Sequence, residues 1–137
     1  MRKEHKEIQK WIYDNYKVKY DVLAEIHKQN KLPDKKRHWY QPDVILKNTK
    51  GEIKYIIEVE NDPVRKAIVG ASILADASIK EINQKTRPTL IFIIYLPNGI
   101  RQIHNFEDKL KIVLPYCNNL KEINVYSEKD FKNKDLK

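Results

Sequence analysis

The segment Thr89–Leu96 is almost wholly apolar and is bracketed by Arg87-Pro88 before it and Pro97-Asn98-Gly99 after it. A short run of that kind between turn residues fits a central strand buried on both faces, so it demands cover from helices on both sides of a sheet. Its apolar part, Leu90 to Leu96, is far too short to span a bilayer.

The segments around it supply such cover. From about Arg2 to Tyr16, Ile8, Trp11, Ile12 and Tyr16 recur at helical spacing, with Lys6, Lys10 and Asp14 on other faces. Tyr20–His27 reads as a first strand, Lys28–His38 as a polar, basic loop, and Trp39–Lys47 as a second strand. Asn48-Thr49-Lys50-Gly51 is a turn signal, and Glu52–Glu60 is a third strand, predicted to pair with the second as an antiparallel hairpin. Asp62 as N-cap and Pro63 at the first helical position open a helix to about Asn83, with Val64, Ala67, Ile68, Ala71, Ala75 and Ile79 as its apolar stripe. A third helix is expected from Asn105, its cap, to about Leu114, and a last strand over Glu122–Tyr126. The order α-β-β-β-α-β-α-β implies an α/β fold, a mixed β-sheet flanked by helices. One domain over residues 1–127 is expected, followed by a charged tail, 128–137, that should fray.

At 137 residues the chain fits one core but not two, and with 41% apolar and 34% charged residues it is globular rather than disordered. The net charge is +8, which suits a polyanionic partner through counterion release and equally suits a solvated, lysine-rich surface. The lone Cys117 excludes an intrachain disulfide and a thiolate zinc site, and it reads as a small buried side chain. The charged start Met1–Glu7 leads into no apolar stretch, so an intracellular location without membrane contact is expected. His5, His27, His38 and His104 lie on separate elements without ligand spacing and read as surface or packing residues. No Walker A loop, dinucleotide fingerprint or nucleophile elbow is present.

The chemistry concentrates at the end of the third strand. Strand alternation puts Glu58 and Glu60 on one face with Ile56, roughly 7 Å apart. Two like charges at the end of an apolar strand cost stability unless something positive compensates them. Asp43 lies on the partner strand. A two-residue turn at Lys50-Gly51 sets it opposite Glu58, and a four-residue turn, 48–51, sets it opposite Ile56, one diagonal step away. An odd turn or a bulge would break this convergence. Three acidic groups at one sheet end make a hard-oxygen site suited to Mg²⁺ or Mn²⁺.

With Pro42-Asp43 on one strand and Glu58-Val59-Glu60 on the next, over roughly residues 2 to 96, the chain resembles the PD-(D/E)XK nuclease superfamily. The resemblance implies a restriction-endonuclease-like fold and metal-dependent endonucleolytic hydrolysis of DNA phosphodiester bonds. Asp43 and Glu58, with the Val59 carbonyl, would hold the ion, and Glu60 would bind water or a second ion or act as base. Glu60 stands where the family pattern has lysine; Lys66, or failing that Arg65, would supply the missing cation from the following helix. Members often carry a further acid on the first helix or strand, for which Glu7 is the candidate and Glu4 and Glu25 compete. Lys35, Lys36 and Arg37, beside Trp39 and Tyr40, form a basic, aromatic loop suited to tracking a phosphate backbone. A homodimer would place two centres on a duplex. Two other readings stay open: a catalytically degenerate module that binds nucleic acid or a protein, and a metal-free interaction domain whose acids pair with Arg65 and Lys66.

Overall fold

The computed structural model describes residues 2–32, 40–61, 65–95 and 100–136, with the side chains of 65, 66 and 100–102 outside that description. Its elements run α1 (Lys3–Tyr16), β1 (Asp21–Ala24), β2 (Val44–Lys47), β3 (Ile53–Glu60), α2 (Arg65–Ile82), β4 (Thr89–Ile94), α3 (Ile100–Val113), β5 (Glu122–Ser127) and α4 (Glu128–Lys132), with 3₁₀ turns at Glu25–His27 and Leu114–Tyr116. The strands form one mixed sheet in the order β1-β2-β3-β4-β5. β1, β2 and β3 are antiparallel neighbours, whereas β3, β4 and β5 run parallel. Parallel neighbours need long crossovers, and α2 and α3 are those crossovers. Among the described residues no helix is long and apolar enough to cross a membrane.

Strand alternation divides the interior into two layers. Ile45, Ile53, Ile56, Leu90, Phe92, Ile94, Ile123 and Val125 face Ile68, Ala75 and Ile79 of α2 and Ile103 and Leu110 of α3. Val22, Val44, Leu46, Ile57, Val59, Ile91 and Ile93 face Ile8, Ile12 and Tyr16 of α1 and Phe131 of α4. All six residues of β4 are buried, as expected of a strand covered on both faces.

Five details differ from the sequence reading. β1 stops at Ala24, and Glu25–His27 turn as a 3₁₀ helix closed by Lys28 in the left-handed region, φ 55°. β2 is confined to Val44–Lys47, because Pro42 has no N–H to give a ladder; its carbonyl instead accepts from the buried Asn30 side chain at 2.9 Å. α3 begins at Ile100, so Asn105 is an exposed interior residue rather than a cap. The sheet-facing stripe Ile103, Phe106, Leu110 and Val113 carries the helix through it. Ala67 is exposed on α2, whereas Ile68, Ala75 and Ile79 are buried. The expected tail is folded: the Ser127 hydroxyl accepts from Asp130 N–H at 3.1 Å and caps α4, and Phe131 and Leu136 are buried. The cap and turn expected at Asp62-Pro63 and Pro97–Gly99 lie outside the described residues.

The β2–β3 hairpin combines an odd turn with a bulge. Asn48 pairs with Glu52 around Thr49-Lys50-Gly51, its side chain accepting from Lys50 N–H at 3.0 Å and Glu52 N–H at 2.9 Å, and Gly51 takes φ +79°. Beyond it, Lys47 opposes Ile53 but Leu46 opposes Tyr55, so Lys54 is an extra residue in β3. The two irregularities cancel: Val44 opposes Ile57, and one further step sets Asp43 opposite Glu58. Deleting Lys54 leaves the pairs on either side in register and keeps Ile53 and Tyr55 on their faces. Its expected cost, read by urea denaturation, is within about 1 kcal/mol. An alanine inserted between Ile56 and Ile57 shifts the faces and should prevent folding.

Candidate metal centre

Asp43 and Glu58 are interlocked where β2 ends beside β3. Asp43 N–H donates to Glu58 Oε1 at 2.8 Å, and Val59 N–H donates to Asp43 Oδ2 at 2.7 Å. Each carboxylate thus receives a backbone donor from the other's strand. The Val59 N–H faces the β2 side past the end of that strand, and the Asp43 side chain replaces the missing ladder acceptor. In extended backbone the C=O of a residue projects to the same side as its N–H, so the Val59 carbonyl also heads towards Asp43. The main chain at Asp43 is held by Glu25 N–H, which donates to its carbonyl at 2.9 Å.

α1 and the 3₁₀ turn complete the neighbourhood. His5 Nε2 stands 3.2 Å from Asp43 Oδ1 and 3.9 Å from Glu25 Oε1, with the imidazole side chain only 20% exposed. The nearer contact has ion-pair distance but not hydrogen-bond alignment, and Nε2 is buried without an aligned hydrogen-bond partner among the described residues. Gln9, fully buried one helical turn on, donates to Glu25 Oε1 at 3.1 Å and accepts from Ile26 N–H at 3.0 Å, fixing the 3₁₀ turn against α1. His5 Nε2, Glu25 and Asp43 each offer a ligand atom within 4.8 Å of the others. Tyr40 is buried with a hydroxyl that finds no partner among the described residues, and it feels the charges of Glu58, Asp43 and Glu60.

The electrostatics follow from crowding acids in a half-dry place. Burial, reinforced by Asp43, pushes the Glu58 carboxyl well above the usual carboxylate range, against the opposing pull of the Asp43 N–H. Burial and then Asp43 raise Glu60, which His5 partly offsets. The Asp43 carboxylate beside His5 raises the imidazole, with Glu25 and Glu60 adding to it and burial opposing. Burial, with the same acids, holds the Tyr40 phenol well above its ordinary value. Among the described residues neither Glu58 nor Glu60 has a cation within ion-pair distance.

Glu58, Glu60 and His5, each raised, act in one direction on stability around neutral pH. A raised folded value stabilises fully below the unfolded value and is lost as pH rises through the folded one. In EDTA, the thermal midpoint should therefore fall as pH rises from the ordinary carboxylate range through neutrality, and Glu58→Gln should flatten the fall. A midpoint rising across that window with Glu58 intact would contradict the arrangement.

The expected site residues divide. Asp43 and Glu58 are in direct contact through backbone donors, and Glu60 lies on the same strand end, half-buried. Glu7 is exposed, 3.9 Å from Lys3 in an i,i+4 pair, so the acid that joins the site is Glu25. Glu4 is exposed on the same helix. Lys66 and Arg65 begin α2, but their side chains lie outside the described residues, as do Lys35, Lys36, Arg37, His38 and Trp39. His5, read from the sequence as surface or packing, stands instead among the acids; His27 packs edge-on against Tyr13, and His104 is exposed. Comparison with family models, with curated proteins and with solved structures gave no match to this chain.

Proposed function

We propose that this chain is a divalent-metal-dependent nuclease of restriction-endonuclease-like fold that hydrolyses phosphodiester bonds of DNA. The observation that carries the reading is the reciprocal lock of Asp43 and Glu58. It fixes the half-buried Asp43 and the buried Glu58 side by side, each with one carboxylate oxygen on a backbone N–H and a second oxygen able to bind a cation. The donor set fits Mg²⁺ or Mn²⁺: hard oxygens dominate, and a +2 charge offsets the burial and the Asp43 repulsion that raise Glu58 and Glu60.

Asp43, Glu58 and the Val59 carbonyl would hold the ion. A bound dication supplies Lewis-acid polarisation of the phosphate and a more acidic water. Glu60, more basic than an exposed glutamate, is suited to take the proton of the attacking water as its oxygen bonds to phosphorus and the P–O bond to the leaving sugar breaks. Lys66, or Arg65, would meet the phosphate charge in place of the lysine that the family pattern has at Glu60. Lys35, Lys36 and Arg37 would follow the strand backbone, in keeping with the net charge of +8. Two copies would address both strands of a duplex.

Glu60 at the lysine position favours one second reading, a module of the same fold that binds nucleic acid or a protein without cutting. Incubation with single-stranded, duplex and branched DNA, with Mg²⁺ or Mn²⁺ and with EDTA, separates the two. Cleavage that needs the ion and is lost in Asp43→Asn and Glu58→Gln supports the nuclease. Binding without product at any ion concentration, unchanged in both variants, supports the module. Size-exclusion chromatography with light scattering reads the oligomeric state.

A further inference from the structure

We infer that His5, Asp43 and Glu25 form a mixed imidazole–carboxylate site that takes a first-row transition dication, Mn²⁺ or Zn²⁺, in preference to Mg²⁺. The inference rests on reading Asp43 as a metal ligand, not on any cleavage chemistry. His5 Nε2 lies 3.2 Å from Asp43 Oδ1 and 3.9 Å from Glu25 Oε1. Ligand atoms about 2.1 Å from a common ion stand about 3.0 Å apart at an octahedral right angle and about 3.4 Å apart in a tetrahedron. The first distance already meets that requirement, and the second needs only a small side-chain rotation.

The groups are also prepared as ligands usually are. Glu25 is oriented by the buried Gln9 amide, the kind of outer hydrogen bond that holds a ligating carboxylate in place. Asp43 is oriented by Val59 N–H through its other oxygen, leaving Oδ1 turned to His5. Nε2 is buried and turned to the Asp43 carboxylate, with no aligned hydrogen-bond partner among the described residues.

A second observation bears on Asp43, the one ligand of the three whose charge reaches Tyr40. The Tyr40 hydroxyl is buried, the residue being 5% exposed, and it has no hydrogen-bond partner among the described residues. Glu58 and Asp43 are the charges that bear most on it. A buried hydroxyl without a partner is unfavourable, and water or an anion on an ion at Asp43 would satisfy it. Imidazole is what sets the preference. Nitrogen donors favour ions late in the Irving–Williams order, whereas Mg²⁺ takes oxygen ligands and gives up its waters reluctantly.

The test uses the full chain with each ion alone. Calorimetric titration should give Mn²⁺ or Zn²⁺ at least about tenfold tighter than Mg²⁺. Pulsed electron paramagnetic resonance of the Mn²⁺ complex should show imidazole ¹⁴N coupling. In His5→Gln the coupling should vanish and transition-ion affinity should fall by about 10–100-fold, with Mg²⁺ affinity nearly unchanged because the amide offers an oxygen. The thermal midpoint in EDTA reports whether that variant is folded, and the wild-type spectrum decides the matter if it is not. Absent ¹⁴N coupling, equal affinity for Mg²⁺, or no binding of any ion overturns the inference. Mg²⁺-dependent cleavage surviving His5→Gln without ¹⁴N coupling overturns it while leaving the nuclease reading intact. A nitrogen-coupled ion with no cleavage of any substrate supports it and removes the nuclease.

Discussion

Asp43→Asn is expected to leave a folded protein that has lost metal-dependent DNA cleavage by at least about a thousandfold. Bound-ion stabilisation of a phosphoryl transition state is worth several kcal/mol, and each 1.36 kcal/mol is about a factor of ten in rate. Asparagine keeps the shape and can still accept the Val59 N–H through its side-chain oxygen, so the β2–β3 lock survives. What it removes is the charge that a dication needs. Its amide nitrogen is then turned towards His5 Nε2, which loses its carboxylate neighbour. The same substitution relieves Glu58 and Glu60, both raised in part by Asp43, so the thermal midpoint in EDTA should not fall by more than a few degrees. Glu58→Gln should show the same loss of cleavage, and the double variant should be no worse than either, because both act through one ion. Full cleavage in either single variant would end the proposal.

The sheet end was legible because strand parity is strict. Period-2 alternation puts Glu58 and Glu60 together on β3, and the antiparallel partner brings Asp43 to them. The turn was not legible in the same way. An odd turn taken alone breaks the convergence, yet Thr49-Lys50-Gly51 is odd and Asp43 still opposes Glu58. Burial decides register more strongly than the loop does: Ile45 and Ile56 must face α2, Leu46 and Ile57 must face α1, and the bulge at Lys54 reconciles the turn with that demand. His5 carries no ligand spacing in the sequence because the acids it meets stand on other elements, Glu25 in the 3₁₀ turn and Asp43 before β2. Its position carried a signal nonetheless, for His5, Gln9, Ile12 and Tyr16 continue one helical stripe, and the last three are buried. A polar residue extending a buried stripe towards the acid-bearing sheet end is placed to meet those acids. Glu25 depends on a 3₁₀ turn that strand propensity in Tyr20–His27 concealed.

Phe131→Ala should destabilise the protein by about 3–5 kcal/mol in urea denaturation, the cost of a large buried aromatic. Composition alone, dominated by lysine, aspartate and glutamate after Ser127, suggests a frayed tail, for which the change would be within about 0.5 kcal/mol. Two apolar residues override that suggestion. Phe131 is 1% exposed and lies edge-on to Trp11, ring centres 6.0 Å apart, with Tyr126 at 6.3 Å. Leu136 is buried against the same layer, and its carbonyl accepts from Lys19 Nζ. Tyr16 Oη donates to the Lys134 carbonyl at 3.2 Å, so the terminal segment is tied to α1 as well as to the sheet. α4 therefore clamps the helix that carries His5 and Gln9. The loss should reach the sheet end as well: in Phe131→Ala, ion affinity at His5 and Asp43 should weaken together with stability, and saturating Mn²⁺ should recover part of the lost midpoint by mass action. In Asp43→Asn the same ion should recover none, which separates a loosened site from an absent one.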